Sequence, residues 1–226
     1  VSISSDGSRV AIGATLNDGR GSNSGHVRIY QYNNNSWSQL GSDIDGEAAN
    51  DNSGLSVSLS SDGSRVAIGS QTNDGTSGNS NDNRGHVRIY QYNNNSWSQL
   101  GADIDGEATD DRSGWSVSLS SDGSRVAVGA YHNDGAGTNS GHVRIFDYTP
   151  SGTSSWTQVG ADIDGEAAND ASGRSVSISS DGSRVAIGAY TNDGNGSNSG
   201  HVRVYSIFSG ESYQYAWDVD SGGVPS

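Results

Sequence analysis

The sequence predicts an all-β fold, a β-propeller built of four four-stranded antiparallel blades, either complete or as part of a larger propeller. Three observations predict it. A strand–turn–strand stretch occurs four times, the tetrad Gly-His-Val-Arg recurs with it at intervals of 60, 56 and 59 residues, and no segment has a helical period. Four strand candidates in each repeat of this length are typical of propeller blades, whereas solenoid repeats are usually shorter.

The first two strands of each repeat come from the stretch Ser56–Gly69 and its copies. Val57 and Leu59 alternate with serines, which is the period-two pattern of a half-buried strand. The dipeptide Asp62-Gly63 tolerates positive φ angles and predicts a two-residue hairpin turn. Alternation resumes over residues 65–69, so the stretch is predicted to be a hairpin. The other copies are Val1–Gly13, Ser116–Gly129 and Ser175–Gly188.

The third and fourth strands follow a polar loop. In the first repeat, Gly25–Tyr32 alternates apolar and polar residues, and Ser36–Leu40 follows an Asn-rich turn. An acidic connector, Asp43–Gly54, leads into the next repeat. The last repeat diverges, as terminal repeats often do, and Tyr213–Asp220 is predicted as its fourth strand. The predicted blades cover residues 1–56, 57–116, 117–175 and 176–226 of a single domain over residues 1–226.

Composition limits the partners that the protein can have. The formal net charge is −14, with 26 acidic residues against 12 basic ones, all of which are arginines. Such a field repels nucleic acids and anionic membranes, and no apolar run reaches the length that spans a bilayer. We therefore predict neither nucleic-acid binding nor membrane insertion. Because the sequence begins within a repeat, we expect a mature product or part of a longer chain.

Several motifs of the third repeat point to a known family. Asp105-Gly106 is followed by Asp111–Val117, then by the Val-Ala-Val-Gly-Ala run Val126–Ala130, and then by Gly141–Phe146 and Trp156. These residues resemble the FG-GAP repeats, the blades of the integrin α-subunit head and of many bacterial and algal surface proteins. The resemblance implies a propeller with a binding role at the cell surface.

The chain departs from the FG-GAP pattern in three respects. The Pro of the GAP motif is replaced at Thr15, Gln71, Tyr131 and Tyr190. Serine stands in place of the Phe of the FG pair, at Ser53, Ser113 and Ser172. The calcium loop of the integrin blades is replaced by a short turn with one carboxylate. Since calcium takes six to eight oxygen ligands, these turns do not match the family's calcium site. The four turn carboxylates are those of Asp6, Asp62, Asp122 and Asp181.

The acidic connectors are the predicted metal sites. Each bunches carboxylates around an Asp-Gly-Glu sequence, which offers the hard oxygen ligands that calcium prefers. The alternative is that these are solvated turns, in which Asp side chains accept hydrogen bonds from backbone amides. The predicted calcium ligands are Asp43, Asp45, Glu47, Asp51, Asp103, Asp105, Glu107, Asp111, Asp162, Asp164, Glu166 and Asp170.

Histidines, arginines and aromatic residues recur at equivalent positions of the third and fourth strands. We predict that each histidine hydrogen-bonds a neighbouring blade rather than joining a ring of metal ligands. We also predict that each arginine pairs with a carboxylate, with the Asp of the hairpin turns as the candidate partner. The aromatic residues are predicted to pack between blades, with sugar stacking as the alternative. The histidines are His26, His86, His142 and His201, the arginines Arg28, Arg88, Arg144 and Arg203, and the aromatics Tyr30, Tyr90, Trp37, Trp97 and Trp156.

No nucleophile elbow, phosphate loop or metalloprotease motif occurs in the sequence. We therefore predict a non-enzymatic, extracellular binding or structural module that serves adhesion or surface assembly, with a carbohydrate-binding propeller lectin as the alternative. Its predicted partners are other proteins, further copies of itself, and glycans. The predicted glycosylation sites, for a eukaryotic secretory route, are Asn34, Asn94 and Asn195.

Overall fold

The computed structural model describes residues 1–75, 81–150 and 155–207, together with the backbone of the strand Tyr213–Asp220. The described residues form strands and turns without helix, in four antiparallel sheets, which confirms the predicted all-β propeller class. Within these ranges no helix is long and apolar enough to cross a membrane.

The first blade shows the plan of the first three. Its strands lie in the order β1-β2-β3-β4, as predicted, and β5 pairs with the free end of β3 beyond β4. The fourth strand is therefore split in two, and its second half was not predicted. The strands are β1 (Ser2–Ile3), β2 (Arg9–Ala14), β3 (His26–Asn33), β4 (Ser36–Gln39) and β5 (Ile44–Asp45).

The second and third blades repeat this plan, whereas the fourth has one long outer strand. In the fourth blade, β19 pairs with β18 along its whole length, with a register shift at Val204 and Tyr205. The strands of the second blade are β6 (Ser56–Leu59), β7 (Arg65–Ser70), β8 (His86–Asn93), β9 (Ser96–Gln99) and β10 (Ile104–Asp105). Those of the third are β11 (Ser116–Leu119), β12 (Arg125–Ala130), β13 (His142–Thr149), β14 (Ser155–Gln158) and β15 (Ile163–Asp164). Those of the fourth are β16 (Ser172–Ile178), β17 (Arg184–Ala189), β18 (His201–Ile207) and β19 (Tyr213–Asp220).

The hairpin between β6 and β7 has a longer turn than predicted. The strands end at the pair Leu59–Val66, and the amide of Ser60 donates to the carbonyl of Arg65, so four residues form the loop. The Asp62 carboxylate accepts hydrogen bonds from the Ser60 hydroxyl at 2.7 Å and the Ser64 amide at 2.9 Å. The predicted two-residue turn is wrong because this side chain bonds both ends of the longer loop.

The core lies between the blades, which pack face to face in chain order. We call the contacts of blades one and two, two and three, and three and four the first, second and third junctions. At the second junction, Val87 and Ile89 of blade two pack with Val126 and Val128 of blade three, all fully buried or nearly so. Equivalent apolar clusters fill the first and third junctions. None of the extensive contacts between described strands joins the first blade to the fourth.

Candidate functional site

Each junction sets the acidic connector of one blade against the third and fourth strands of the next. At the first junction, the Arg88 side chain on β8 donates to the Asp45 carbonyl at 2.8 Å. The indole Nε1–H of Trp97 on β9 donates to the Leu40 carbonyl, also at 2.8 Å. The second junction repeats both bonds, which are Arg144 to Asp105 at 2.6 Å and Trp156 to Leu100 at 2.7 Å. The predicted inter-blade packing is confirmed for Trp97 and Trp156, whose rings also pack against the apolar clusters, but not for Trp37, which is 45% exposed.

A group of two carboxylates and an imidazole lies beside these bonds at the first junction. Glu47 comes from the connector of blade one, His86 begins β8, and Asp103 lies in the connector of blade two. His86 Nδ1 is 3.8 Å from an oxygen of Glu47 and 3.8 Å from an oxygen of Asp103. We call Glu47, His86 and Asp103 the first junction cluster. Its three potential ligand atoms all lie within 4.8 Å of one another, so the group could hold a metal ion.

The second junction contains the same group. His142 Nδ1 lies 3.8 Å from Glu107 and 3.7 Å from Asp162, and the three residues also meet the spacing of a metal site. We call them the second junction cluster. Because the same residue types meet at two independent places, the arrangement follows from the repeat rather than from one local accident of packing.

The first and fourth blades carry only parts of this group among the described residues. His26 lies 3.5 Å from Asp43 and close to Asp45, which makes a third group of metal-ligand spacing. There Arg28 bonds both oxygens of Asp43, at 3.0 and 2.9 Å. At the third junction, His201 Nδ1 lies 3.6 Å from Glu166, which also pairs with Arg203.

Burial controls the ionisation of the junction clusters. Burial, followed by the charge of Arg88, lowers the pKa of His86 to about 4, and the pKa of His142 is likewise lowered to about 4. Both imidazoles are therefore neutral near pH 7. Burial also raises the pKa values of Glu47 and Glu107. In the first blade the hydrogen bond from Arg28 instead lowers the pKa of Asp43.

The carboxylates of one connector do not all come together at the spacing of metal ligands. No described group of metal-ligand spacing contains more than two carboxylates of the same connector. The last aspartate of the first connector, Asp51, accepts hydrogen bonds from the backbone amides of Glu47 and Ala48, at 3.0 and 2.7 Å. Asp111 accepts the equivalent hydrogen bonds from the amides of Glu107 and Ala108, and Asp170 accepts one from the amide of Ala167. These three side chains therefore fit the alternative of capped turns.

The second aspartates of the connectors lie beside the glycine of the preceding polar loop. A Cβ on Gly19 would lie 3.5 Å from Asp45, and one on Gly135 would lie 3.0 Å from Asp164. Burial raises the pKa values of Asp105 and Asp164. Calcium in the connectors remains a prediction.

The histidines and arginines are where their sequence pattern indicated, with one difference for each. His86, His142 and His201 face the preceding blade, but their nitrogens lie beyond hydrogen-bond distance of its Glu side chains, and His26 faces Asp43 of its own blade. The arginines pair with carboxylates, as predicted, but with those of the connectors and not those of the hairpin turns: Arg28 pairs with Asp43, and Arg88 with Glu47 at 3.4 Å. Their recurrence was visible in the sequence, but their meeting with a Glu of the preceding blade was not.

A cavity of about 200 Å³ opens at the first junction. It combines charged side chains with the aromatic residues of blade two, and we call it the junction pocket. Tyr92 packs against the back of Trp97, with ring centroids 5.1 Å apart. The residues that line the pocket are Arg20, Ser42, Asp43, Ile44, Asp45, Arg88, Tyr90, Ser96 and Trp97.

The three predicted glycosylation sites are exposed. Asn34 and Asn94 occupy equivalent turns after β3 and β8 with φ of 50° and 49°, and Asn195 lies in a polar loop of blade four. Their modification remains a prediction.

Sequence comparison finds FG-GAP repeats in two segments of the chain, residues 102–146 and 161–205. The class that the fold and these matches define is a β-propeller module. Both segments match the FG-GAP repeat, which confirms the resemblance seen in the sequence for these residues. No curated protein matches the sequence.

Solved structures match the fold at low sequence identity. The periplasmic gluconolactonase PpgL of Pseudomonas aeruginosa is 16% identical with a TM-score of 0.63, over 98% of this chain and 57% of that one. A protein assigned as a 6-phosphogluconolactonase from Bacteroides uniformis is 13% identical with a TM-score of 0.62, over 96% and 53%. The chain therefore spans just over half of the length of these structures.

These neighbours correct the prediction of a non-enzymatic module. Two propellers named as lactonases share the fold of nearly the whole chain. The prediction rested on missing motifs and on the near-identity of the repeats, and neither observation excludes an enzyme with this fold. At such identity the likeness shows the fold alone.

Proposed function

We propose that the protein is a carbohydrate-binding β-propeller module of a secreted or cell-surface protein, and that it binds a sugar ring in the junction pocket. The observation that carries the proposal is the composition of this pocket. Arg20, Asp43, Asp45 and Arg88 surround a cavity of about 200 Å³ whose wall includes the ring of Trp97.

These side chains have the chemistry that a polyhydroxylated ring needs. A guanidinium and a carboxylate are both planar and can each bond two groups at once, which suits adjacent hydroxyls. Tyr90 and Trp97 add a small apolar area to this polar pocket, and the guanidinium of Arg88 lies over the ring of Tyr90, 5.6 Å from its centroid. The cavity is smaller than the roughly 300–1,000 Å³ of pockets for drug-sized ligands, so a single ring suits it better.

Several of the pocket residues recur at the second junction, although Thr76 stands at the position that corresponds to Arg20. Asp103, Asp105, Arg144 and Trp156 are the counterparts of Asp43, Asp45, Arg88 and Trp97, whereas Phe146 replaces Tyr90. The recurrence supports more than one sugar site per chain, in keeping with the propeller lectin that the sequence suggested as the alternative function. Loss of the tyrosine hydroxyl removes one hydrogen-bonding group from the second site.

The proposed location and partners rest on the repeat matches, the net charge and the exposed apolar side chains. FG-GAP repeats and an acidic net charge of −14 support a place outside the cell. The aliphatic and aromatic side chains exposed on blade one support docking of a further protein or copy. Adhesion through glycans would combine the two functions predicted from the sequence.

A second candidate function is hydrolysis of a sugar lactone. Arg88 lines the pocket and also contacts Glu47, whose pKa is raised by burial. A carboxylate with a raised pKa is closer to the value that suits a general acid or base near neutral pH. The names of the structural neighbours point to the same class of ligand, a cyclic ester of a sugar acid.

Glycan-array binding followed by titration of tryptophan fluorescence tests the proposed function. We expect Arg20→Ala to weaken binding at least tenfold, because the side chain lines the pocket yet is 65% exposed and contributes little to packing. Arg184→Ala, at an exposed position of blade four, is the matched control and should bind normally. Absence of glycan binding, or equal binding by both variants, would contradict sugar recognition. Release of acid from glucono-1,5-lactone above its spontaneous rate, measured by titration at constant pH, would favour the second candidate.

A further inference from the structure

We propose that the first and second junction clusters each bind a divalent transition-metal ion such as Zn²⁺, through one imidazole nitrogen and two carboxylate oxygens. This donor set differs from the calcium ligands predicted in the sequence. It includes a nitrogen, and it is drawn from two successive blades rather than from one connector.

Each carboxylate of the first junction cluster has one oxygen held by a neighbour and the other turned towards the histidine. Glu47 Oε1 lies 3.4 Å from Arg88, while Oε2 lies 3.8 Å from His86 Nδ1. Asp103 Oδ1 accepts a hydrogen bond from Gln99 at 2.5 Å, while Oδ2 lies 3.8 Å from the same nitrogen. Metal-binding carboxylates are commonly oriented in this way, by hydrogen bonds to their second oxygen.

The second junction cluster repeats these contacts, but the buried nitrogen that lacks a hydrogen-bond partner among the described residues is Nε2 in His86 and Nδ1 in His142. Glu107 Oε1 lies 3.5 Å from Arg144, and Oε2 faces His142. Asp162 Oδ1 accepts a hydrogen bond from Gln158 at 2.7 Å, and Oδ2 faces His142. Two equivalent sites per chain are therefore the expected number.

The imidazole of the second cluster leaves a buried nitrogen without a partner. His142 is 1% exposed, and its Nδ1 makes no hydrogen bond within the described part of the chain. That nitrogen is the atom that faces both carboxylates, at 3.8 and 3.7 Å. Buried polar atoms are rarely left unpaired, so this one needs a partner between the three side chains. With zinc–ligand bonds of about 2.0–2.2 Å, an ion there would draw the donors inward by about half an ångström.

The charges and donor types favour a transition metal. Two carboxylates outweigh the one guanidinium beside them, so each cluster keeps a net negative charge. Imidazole nitrogen suits zinc and its neighbours in the first row, whereas calcium takes oxygen ligands almost exclusively.

The first blade shows what an incomplete site looks like. His26 has no Glu from a preceding connector among the described residues. Arg28 bonds both oxygens of Asp43 and so competes with an ion for that carboxylate. We therefore expect the His26 group to bind zinc more weakly than the two junction clusters.

Calorimetric titration of the 226-residue chain with ZnCl₂ and with CaCl₂ tests the proposal. We expect two equivalents of zinc, bound at least tenfold more tightly than calcium. Glu47→Gln and Glu107→Gln should each remove one equivalent, because glutamine keeps an acceptor for the arginine and loses the anionic ligand. His132→Gln is the control, since His132 faces a single carboxylate, that of Asp110, at 3.6 Å.

Three outcomes would overturn the proposal. They are no zinc binding by the native chain, calcium bound as tightly as zinc, and two equivalents retained when Glu47 and Glu107 are both replaced. Circular dichroism of each variant shows that it is folded. The single variants guard against misfolding, because a folded chain should keep the zinc site that was not changed.

Discussion

Gly129→Ala tests the close approach of successive blades. Gly129 lies on β12, and a Cβ at this position would be 2.1 Å from the carbonyl oxygen of Gly173 in the next blade. Ordinary contact begins at 3.4 Å, so the backbones of the two blades would have to separate by more than 1 Å. The φ angle of Gly129 is not positive, so the methyl group acts through contact alone.

The matched control is Gly188→Ala, at the same position of blade four. Both methyl groups would meet a serine hydroxyl of their own blade at 2.4 Å, that of Ser116 or Ser175, which can rotate away. A Cβ on Gly188 meets no carbonyl of another blade. The two variants therefore differ only in the contact across a junction.

The expected cost follows from this difference. Overpacking a rigid contact costs about 1–3 kcal/mol, and the bond from the Ser116 hydroxyl to the Gly173 carbonyl, worth about 1 kcal/mol, is lost as well. We expect Gly129→Ala to lower the free energy of unfolding by about 3 kcal/mol. Gly188→Ala should change it by less than about 1 kcal/mol, because alanine also restricts the unfolded chain.

Urea unfolding followed by tryptophan fluorescence and circular dichroism measures the difference. With a slope of about 2–3 kcal/mol per molar urea, Gly129→Ala should lower the midpoint by about 1 M relative to Gly188→Ala. Gly69→Ala, where the carbonyl of Gly114 would be 2.0 Å from the Cβ, should behave like Gly129→Ala. Equal midpoints for the Gly129 and Gly188 variants would refute the argument from blade contact.

Two further predictions concern single side chains. Trp156→Phe should lower the free energy of unfolding by about 1–2 kcal/mol in the same urea assay, because it leaves the Leu100 carbonyl unpaired. Trp37→Phe is the control and should lower it by less than about 0.5 kcal/mol, because the Trp37 side chain is 45% exposed. The hydrogen bond from the Ser179 hydroxyl lowers the pKa of Asp181 to about 2 in the folded chain. The ionised Asp181 carboxylate therefore stabilises the fold fully above its unfolded pKa near 4, and this contribution is lost as pH falls through 2. Urea midpoints between pH 5 and pH 2 should therefore decline, and less steeply for Asp181→Asn; an equally steep decline would contradict the assignment.

The strands that the sequence pattern predicts well are those with regular alternation. The third strand of blade one was predicted over Gly25–Tyr32 and occupies His26–Asn33, and the divergent last strand Tyr213–Asp220 has the predicted bounds. Alternation is informative here because one face of each strand is buried against the next blade. The sequence therefore contains the packing information within the strand itself.

The short strands within the acidic connectors could not be predicted in this way. Ile44 stands alone between Asp43 and Asp45, which gives no period, and the run reads as a polar turn. Ile44 is nonetheless buried, and it pairs with Val27 at the free end of β3. The pairing depends on an edge that β4 leaves open, so it is a property of the sheet and not of the connector.

The junction clusters could not be predicted from the sequence, for a similar reason. Glu47 and His86 are in different repeats, and the sequence shows only that both types of residue recur. Which Glu meets which His depends on the order in which blades pack. The calcium sites predicted within single connectors remain predictions, whereas each junction cluster combines residues of two successive blades.

Identical sequence does not give identical surroundings in this chain, and the sites proposed here accordingly lie at the junctions rather than within single blades. The run Ser-Trp-Ser-Gln occurs at both 36–39 and 96–99, yet Trp97 donates to the Leu40 carbonyl while Trp37 is 45% exposed. The difference is the connector of a preceding blade, which the structure supplies to Trp97 alone of the two. The junction pocket and both complete clusters need residues from two successive blades, so a single repeat cannot form any of these sites. Separating two blades should therefore abolish sugar binding in the junction pocket and zinc binding at the junction clusters, even where every residue of each repeat is retained.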